Sequence, residues 1–466
     1  MGLGFESLRA HFKSSAILLG FFGIIRCNSH ICFRIICNKM KKTITAIIAA
    51  LAIGTEAIAS DHTLRLDYVF IGGTPTAQPA QTVQPAQTGI SIALTRMSAT
   101  EGWYGRTVNM DRLPVAGDAD IKVVDNASGK TVYANSFSTL FQEWLTTDEF
   151  KIMVKAFENT LLVPMPDAPA TVTIRLFDKH RQTVCEYSHP VNPQDILIAR
   201  KAESKVDRKY IHKGGDSKKC IDVAIIAEGY TAAEKERFYQ DAEQTVEAIF
   251  SHEPFGRNRN CFNFLAIAPE SFDTGVSVPR EKLWRQTPVS SNFDTFYIER
   301  YLTTDHVFKI HDILEGLPYE HIIILANTDV YGGGGIYNSY TLTTAHHKYF
   351  KPVVVHEFGH SFGALADEYD YDSYGEPYFY PDTEPWEQNV TTKYDFGSKW
   401  QDMMEAGVPG VGLQEGAGYQ SKGVWRSRED CRMRTNKSKD FCPVCQRAIE
   451  RMIRFNLLPE AETRNM

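Results

Sequence analysis

The sequence predicts two domains of different class: an all-β, sandwich-like domain over residues 61–200 and an α/β domain over residues 201–466 that carries the chemistry. Three observations predict this. Short alternating apolar runs separated by turn formers fill the first half, as in an antiparallel sandwich. From residue 221 onwards, apolar strands alternate with amphipathic helical stretches, which is α/β ordering. Residues 353–369 read VVVHEFGHSFGALADEY and place His356, Glu357 and His360 at helical spacing.

The first 60 residues stand outside both domains. Residues 1–39 hold an apolar run (16–25) with Cys27, Cys32 and Cys37, and read as an upstream translation artefact. Residues 40–60 read as a secretory signal peptide: Met40-Lys41-Lys42 is the charged start, 43–53 the apolar run, and Ala57-Ile58-Ala59 the small-residue cleavage site. Both apolar runs fall short of the roughly 20 residues a spanning helix needs. The expectation is therefore export to the periplasm, cell surface or medium, without a stable membrane span. At 466 residues and 43% hydrophobic content the chain can bury two cores. A formal charge of −7 with no basic block argues against nucleic acid as a partner.

In the first domain, strands are expected at 64–70, 89–96, 121–125, 131–133, 160–163 and 171–178, with a Pro/Gln/Ala/Thr-rich loop at 74–88. Residues 137–150 (FSTLFQEWLTTDEF) read as a helix, and Trp103, Phe141 and Trp144 as packing residues. No titratable cluster with chemical spacing occurs here, so the domain reads as a supporting or adhesive module.

The polar segment 192–216 is the expected junction. Beyond it come a strand at 221–227, a helix at 231–250 capped by Thr231 with Glu234 three residues on, and a strand at 262–268. Helical patterns follow at 294–302 and 306–314, then a strand at 321–327. Residues 331–344 (YGGGGIYNSYTLTT) lack the Gly-Lys-Ser/Thr ending of a phosphate loop. The functional reading is a bulged edge strand, Gly333, Gly334, Gly335, Ile336 and Tyr337, that holds an extended peptide by strand addition. The competing reading is a flexible hairpin tip.

Two imidazoles four residues apart on a helix can grip one Zn2+, and the Glu beside the first is placed as a general base towards water on the metal. His356-Glu357-x-x-His360-x-x-Gly363 resembles the zincin metallopeptidases in their metzincin style, in which Gly turns the chain back towards a third ligand. That resemblance implies a Met on a tight turn beneath the metal, for which Met433 in Asp430-Cys431-Arg432-Met433-Arg434 is the candidate. HEFGH with ADEY, CRMR and FCPVC resembles the IgA-peptidase family of bacterial metallopeptidases, and FSTLFQEW with Gly105-Arg106 resembles that family's N-terminal domain. The second domain is then a zincin (metzincin-like) catalytic domain. In common metzincins the third ligand stands ten residues after the first His, and here that position is Ala366. Asp367 is the favoured third ligand and Glu368 the alternative, with Glu368 otherwise hydrogen-bonding a ligating His. Tyr369, Tyr371 and Tyr374 follow closely; packing is the first reading for them and donation to an oxyanion the second.

Six cysteines remain after residue 60. In an oxidising compartment a disulfide between Cys431 and either Cys442 or Cys445, bracing the Met433 turn, is preferred over a redox pair or a zinc knuckle, for which no second Cys pair is evident. The acids Asp367, Glu368, Asp370, Asp372 and Glu376 make Ca2+ a second candidate ion, although they lack the spacing of an EF-hand loop. The expected function is an exported zinc endopeptidase acting on protein or peptide. The resemblance extends the substrate to immunoglobulin A or other surface glycoproteins. The rival is an adhesin or binding module with a degenerate zincin domain, against which an intact Glu357 argues.

Overall fold

The computed structural model describes residues 61–73, 89–371 and 377–459, all within one compact unit, Ala59–Met466. The expected upstream segment, signal peptide and 74–88 loop lie outside these residues, as do Asp372, Tyr374 and Glu376.

The first half is built from β1 (His62–Gly73), β2 (Ser91–Glu101), β3 (Ala119–Asp125), β4 (Thr131–Phe137), the short helix α1 (Leu140–Trp144), β5 (Val154–Pro164), β6 (Ala170–Phe177), β7 (Thr183–Val191) and β8 (Ala199–Arg200). These make two four-stranded sheets, ordered β5-β1-β2-β8 and β4-β3-β6-β7. Period-two alternation puts Leu64, Leu66, Tyr68 and Phe70 of β1 in one core with Ile121, Val123, Val172, Ile174 and Leu176. Tyr68 Oη meets His189 Nε2 at 2.8 Å and joins the two sheets through this core. The opposite face of β1 is buried too, but it is charged. Arg65 binds Asp67 at 2.9 Å, Asp312 at 2.7 Å and Glu315 at 3.0 Å, which ties β1 to the second half of the chain.

The helix expected at 137–150 is shorter than its sequence pattern. Phe137 belongs to β4, and the helix stops at Trp144, where Thr146 and Thr147 hydroxyls donate to the carbonyls of Glu143 and Trp144, each at 2.8 Å. Such local side-chain bonds compete with helix continuation. Phe141 and Trp144 pack in the core, as does Trp103.

The second half opens with β9 (Arg208–Lys213), β10 (Ile221–Glu228), α2 (Lys235–Phe250), β11 (Phe262–Ile267), α3 (Val307–Ile313), β12 (His321–Ala326), β13 (Gly333–Ile336), β14 (Tyr340–Thr344) and α4 (Phe350–Ser361). Its sheet runs β13-β14-β12-β10-β11-β9, with the four inner strands parallel and the two edge strands antiparallel to their neighbours. One face, with Val223, Ile225, Phe264 and Ile323, packs beneath the helices. The other, with Ala224, Ile226, Leu265 and Ile324, joins the core of the first half. The Thr231/Glu234 capping box forms before α2. Residues 294–302 are not helical. A single tight turn (Thr295–Tyr297) sits among left-handed Asp294, Phe296 and Tyr297, and the Thr295 and Thr303 hydroxyls meet at 2.7 Å across the loop. The chain ends with β15 (Val390–Thr391), α5 (Gln401–Glu405), β16 (Gln414–Ala417), β17 (Gln420–Arg426) and α6 (Pro443–Leu457). The small sheet β15-β17-β16 and strand β7 have no counterpart in the sequence reading.

Candidate metal centre

Helix α4 carries His356, Glu357 and His360, and the glycines of β13 let the sheet edge lie against it. A Cβ on Gly335 would stand 2.3 Å from the Glu357 carbonyl oxygen and 3.0 Å from His360 Cβ; one on Gly333 would stand 3.0 Å from Glu357 Oε1. The glycines are there for close approach. The edge is regular rather than bulged, pairing Gly333 with Thr343 through Ile336 with Tyr340. Much of its open side is already occupied. Gly333 donates to the Arg300 carbonyl at 3.2 Å and accepts from the Leu302 N–H at 3.4 Å, while Tyr337 accepts from the Ser138 N–H at 2.9 Å. The edge left open by these bonds is narrower than the expected five-residue strand and is centred on Gly335.

At the end of α4 the left-handed residue is Ala364 (φ 54°), not Gly363. Gly363 is required for space, since a Cβ there would meet the Gly359 carbonyl oxygen at 2.7 Å. This turn brings residues 365–367 back under the histidines. His360 Nδ1 donates to the Leu365 carbonyl at 2.6 Å, and His356 Nδ1 donates to the Arg432 carbonyl at 3.0 Å. A carbonyl only accepts, so both Nδ1 atoms carry the proton and both Nε2 lone pairs face inward. The two Nε2 atoms are 3.1 Å apart, and Asp367 Oδ1 lies 3.0 and 3.3 Å from them. Three electron-rich atoms converging in a half-buried pocket are the donor set a cation requires, and two imidazoles with one carboxylate suit zinc. The residues therefore fit the metal. A proton competes with a cation for this pocket: Asp367 outweighs burial and raises His360 to about 9, and the histidines hold Asp367 well below the usual carboxylate range, so metal binding at neutral pH displaces the proton from His360 Nε2.

Glu357 points into the same space, with a carboxylate oxygen within 4.8 Å of the His356 and His360 ligand atoms. Burial raises its pKa; His356 and His360 oppose this. Met433 is fully buried against α4, and a Cβ on Gly359 would lie 2.7 Å from its sulfur. Its carbonyl accepts the Glu368 N–H at 2.9 Å. Two contributors have no motif to announce them: the Tyr419 hydroxyl donates to Asp367 Oδ2, and the Tyr301 hydroxyl donates to Glu143 of α1. Burial pushes Glu143 up to about 7. Of the expected tyrosines, Tyr369 lies nearly parallel to the His356 ring at 6.4 Å, and Tyr371 accepts from Arg300 at 2.8 Å. Except for the buried Met433, these groups line a cleft of about 570 Å³ to which the first half of the chain also contributes Asp118, Gln142 and Lys179.

Glu368 departs from its expected place beside a ligating histidine. It points away from them, accepting from Asn389 at 3.0 Å and from Cys445 Sγ at 3.0 Å. Cys431, Cys442 and Cys445 are all free thiols in this cluster, so the expected disulfide is absent. Cys431 Sγ and Cys445 Sγ stand 3.7 Å apart, beyond the roughly 2.05 Å of an S–S bond, and share one pocket with Cys442 and the Glu368 carboxylate. The described acids of the calcium candidate also separate. Asp367 turns to the histidines, Glu368 to the cysteines, and Asp370 to Arg434 at 3.3 Å, so these three form no oxygen-only cage.

Among the described residues no helix is long and apolar enough to cross a membrane. No curated protein matches the chain. The family model described as IgA Peptidase M64 matches residues 210–410 and 408–453, and that described as Peptidase M64 N-terminus matches residues 55–188. The chain therefore belongs to the IgA Peptidase M64 family, and is a peptidase whose substrate is a protein or peptide.

Proposed function

We propose that the chain is an exported zinc-dependent endopeptidase, with a β-sandwich-like domain over 61–200 and a zincin, metzincin-like catalytic domain over 201–466. The observation that carries the metal assignment is the convergence of His356 Nε2, His360 Nε2 and Asp367 Oδ1 on one point, with both Nδ1 atoms committed to carbonyls. Zinc held there supplies Lewis acidity and acidifies water to a pKa near 7.

Glu357 takes the proton from the attacking water and returns it to the leaving amine. Its carboxylate, directed into the space between the two histidines, is placed to hold that proton between the two halves of the cycle. The Gly335 backbone, directly above α4, aligns the substrate chain, and the cleft walls from both halves of the molecule confine it. The family's name supports immunoglobulin A or another surface glycoprotein as the substrate. The adhesin alternative leaves the Glu357 carboxyl beside an intact donor set without a use.

The test is Glu357→Ala. Hydrolysis of a peptide library is expected to fall by at least about 10²–10⁴, while the zinc content stays that of the parent. Comparable turnover in the variant would refute the general-base role. A parent that binds metal but cleaves no peptide would favour the binding-module reading.

A further inference from the structure

Behind the histidine centre, on the far side of the segment that carries Asp367, lies a second convergence of donors. Cys431, Cys442, Cys445 and Glu368 are each essentially inaccessible to solvent, and one ligand atom from each lies within 4.8 Å of all the others. We propose that these four residues form a second, structural Zn2+ site, with three thiolates and one carboxylate as its donors.

Four observations carry it. The first is spacing: a tetrahedral zinc with Zn–S bonds of about 2.3 Å sets its sulfurs about 3.8 Å apart, and Cys431 Sγ and Cys445 Sγ are separated by 3.7 Å. The second is chemistry. Glu368 presents Oε1 to Cys445 Sγ at 3.0 Å and to Cys442 Sγ at 4.0 Å, while its Oε2 is buried without a hydrogen-bond partner. A buried carboxylate oxygen left unsatisfied among thiols is costly, and a cation removes that cost. The third is the support given to the sulfurs as thiolates. The Cys442 N–H donates to Cys431 Sγ at 3.2 Å, the Cys445 N–H donates to Cys442 Sγ at 3.4 Å, and the Ser427 hydroxyl meets Cys442 Sγ at 3.2 Å. Cys442 caps the N-terminus of α6, where the helix dipole favours negative charge.

The fourth is arithmetic. A disulfide consumes two of the three thiols and strands the third beside Glu368. A tetrahedral metal uses all four donors and leaves no open position, which is the mark of a structural site. The soft sulfur set selects zinc over calcium or magnesium. Three thiolates and a carboxylate outweigh the ion's charge, and the buried guanidiniums of Arg426 and Arg432, whose fields reach Glu368 and Cys431, offset the excess.

The site pins together the two loops that shape the histidine centre. Glu368 adjoins Asp367 in the chain, and Cys431 adjoins Arg432, whose carbonyl orients His356. The Glu368 N–H to Met433 carbonyl bond closes the same junction at 2.9 Å. A metal here fixes the positions of groups on which the first centre depends, without touching substrate.

The experiment is metal analysis and cobalt substitution on the full chain and on the double variant His356→Ala/His360→Ala, which leaves the four donors intact. The parent is expected to hold two zinc equivalents and the double variant one. Co2+ in the double variant should give the intense sulfur-to-cobalt charge-transfer absorption of a tetrahedral thiolate site, which a centre of imidazoles and a carboxylate cannot produce. In Cys442→Ser/Cys445→Ser that absorption should vanish. If the serine variant does not fold, the cobalt spectrum of the histidine variant decides. A histidine variant without zinc and without the charge-transfer band overturns the proposal. So does a peptide map in which two of Cys431, Cys442 and Cys445 are joined by a disulfide.

Discussion

The Tyr419 hydroxyl donates to Oδ2 of Asp367, while Oδ1 of the same carboxylate faces the Nε2 atoms of His356 and His360. One oxygen is thus held by the small C-terminal sheet and the other is left for the proposed metal. Partners of this kind orient a ligand, and their loss typically costs 10–100-fold in metal affinity. Tyr419→Phe is expected to weaken zinc binding by about that factor, read by competition with a chromophoric chelator, with the melting temperature of the metal-free protein little changed. Unaltered affinity would show that the bond does not position Asp367.

The glycines of β13 make separable predictions. Gly335→Ala forces a Cβ to within 2.3 Å of the Glu357 carbonyl oxygen, a backbone atom that cannot rotate away. Destabilisation of about 1–3 kcal/mol or more is expected in urea unfolding. Gly333→Ala meets instead the Glu357 side chain, at 3.0 Å from Oε1. That carboxylate can move, so the fold should survive while kcat drops by up to about 10²-fold through displacement of the base. Equal effects of the two substitutions on stability would contradict the placement of β13 against α4.

Met433 illustrates a milder contact. Its sulfur packs against Gly359, on the turn of α4 between the two histidines, and donates nothing to the convergence of lone pairs. Met433→Leu keeps the volume, and its cost should stay below about 1.5 kcal/mol, with zinc stoichiometry unchanged. Loss of metal in this variant would make the thioether more than a floor.

The sequence disclosed those parts of the molecule whose signal is local. The period-two alternation of Leu64, Leu66, Tyr68 and Phe70 gives β1 directly, and the Thr231/Glu234 box gives the start of α2. The spacing of His356, Glu357 and His360 places three groups on one helix before any tertiary structure is known. What stayed hidden depends on contacts between distant residues. Tyr419 reaches Asp367 from 52 positions away, on a turn that no spacing rule predicts. Cys431, Cys442 and Cys445 read as disulfide partners because the fourth donor, Glu368, lies 77 residues from Cys445 and reads from its neighbours as a group of the histidine centre. The helix expected at 294–302 does not form: Asp294 and Thr295 spend their side chains on bonds across the loop, to the Arg280 N–H and the Thr303 hydroxyl.

Glu320 supplies a pH test far from the histidine centre. Burial, and then the facing Asp222 carboxylate, push its pKa from the usual 4.5 up to about 8, with Arg106 pulling the other way. Oε2 of Glu320 accepts the Asp222 N–H at 3.4 Å, a bond that the neutral acid and an amide can both make. Between pH 4.5 and about 8 the folded protein keeps this proton while the unfolded chain has lost it. Native protein then binds more protons than unfolded, so stability must fall as pH rises through that window. The contribution is complete below the unfolded pKa and is lost by the folded one. Glu320→Gln removes the titrating group and keeps the shape, so titrations that do not interact with Glu320 cancel in the comparison, and the change that remains belongs to the Glu320–Asp222 pair. The stability of the parent relative to the variant, from urea unfolding at fixed metal concentration, is expected to decline steadily from pH 5 to pH 8 and to be flat below pH 4.5. A difference that is constant across the whole range would mean that Glu320 ionises normally and that the Asp222–Glu320 contact is solvated.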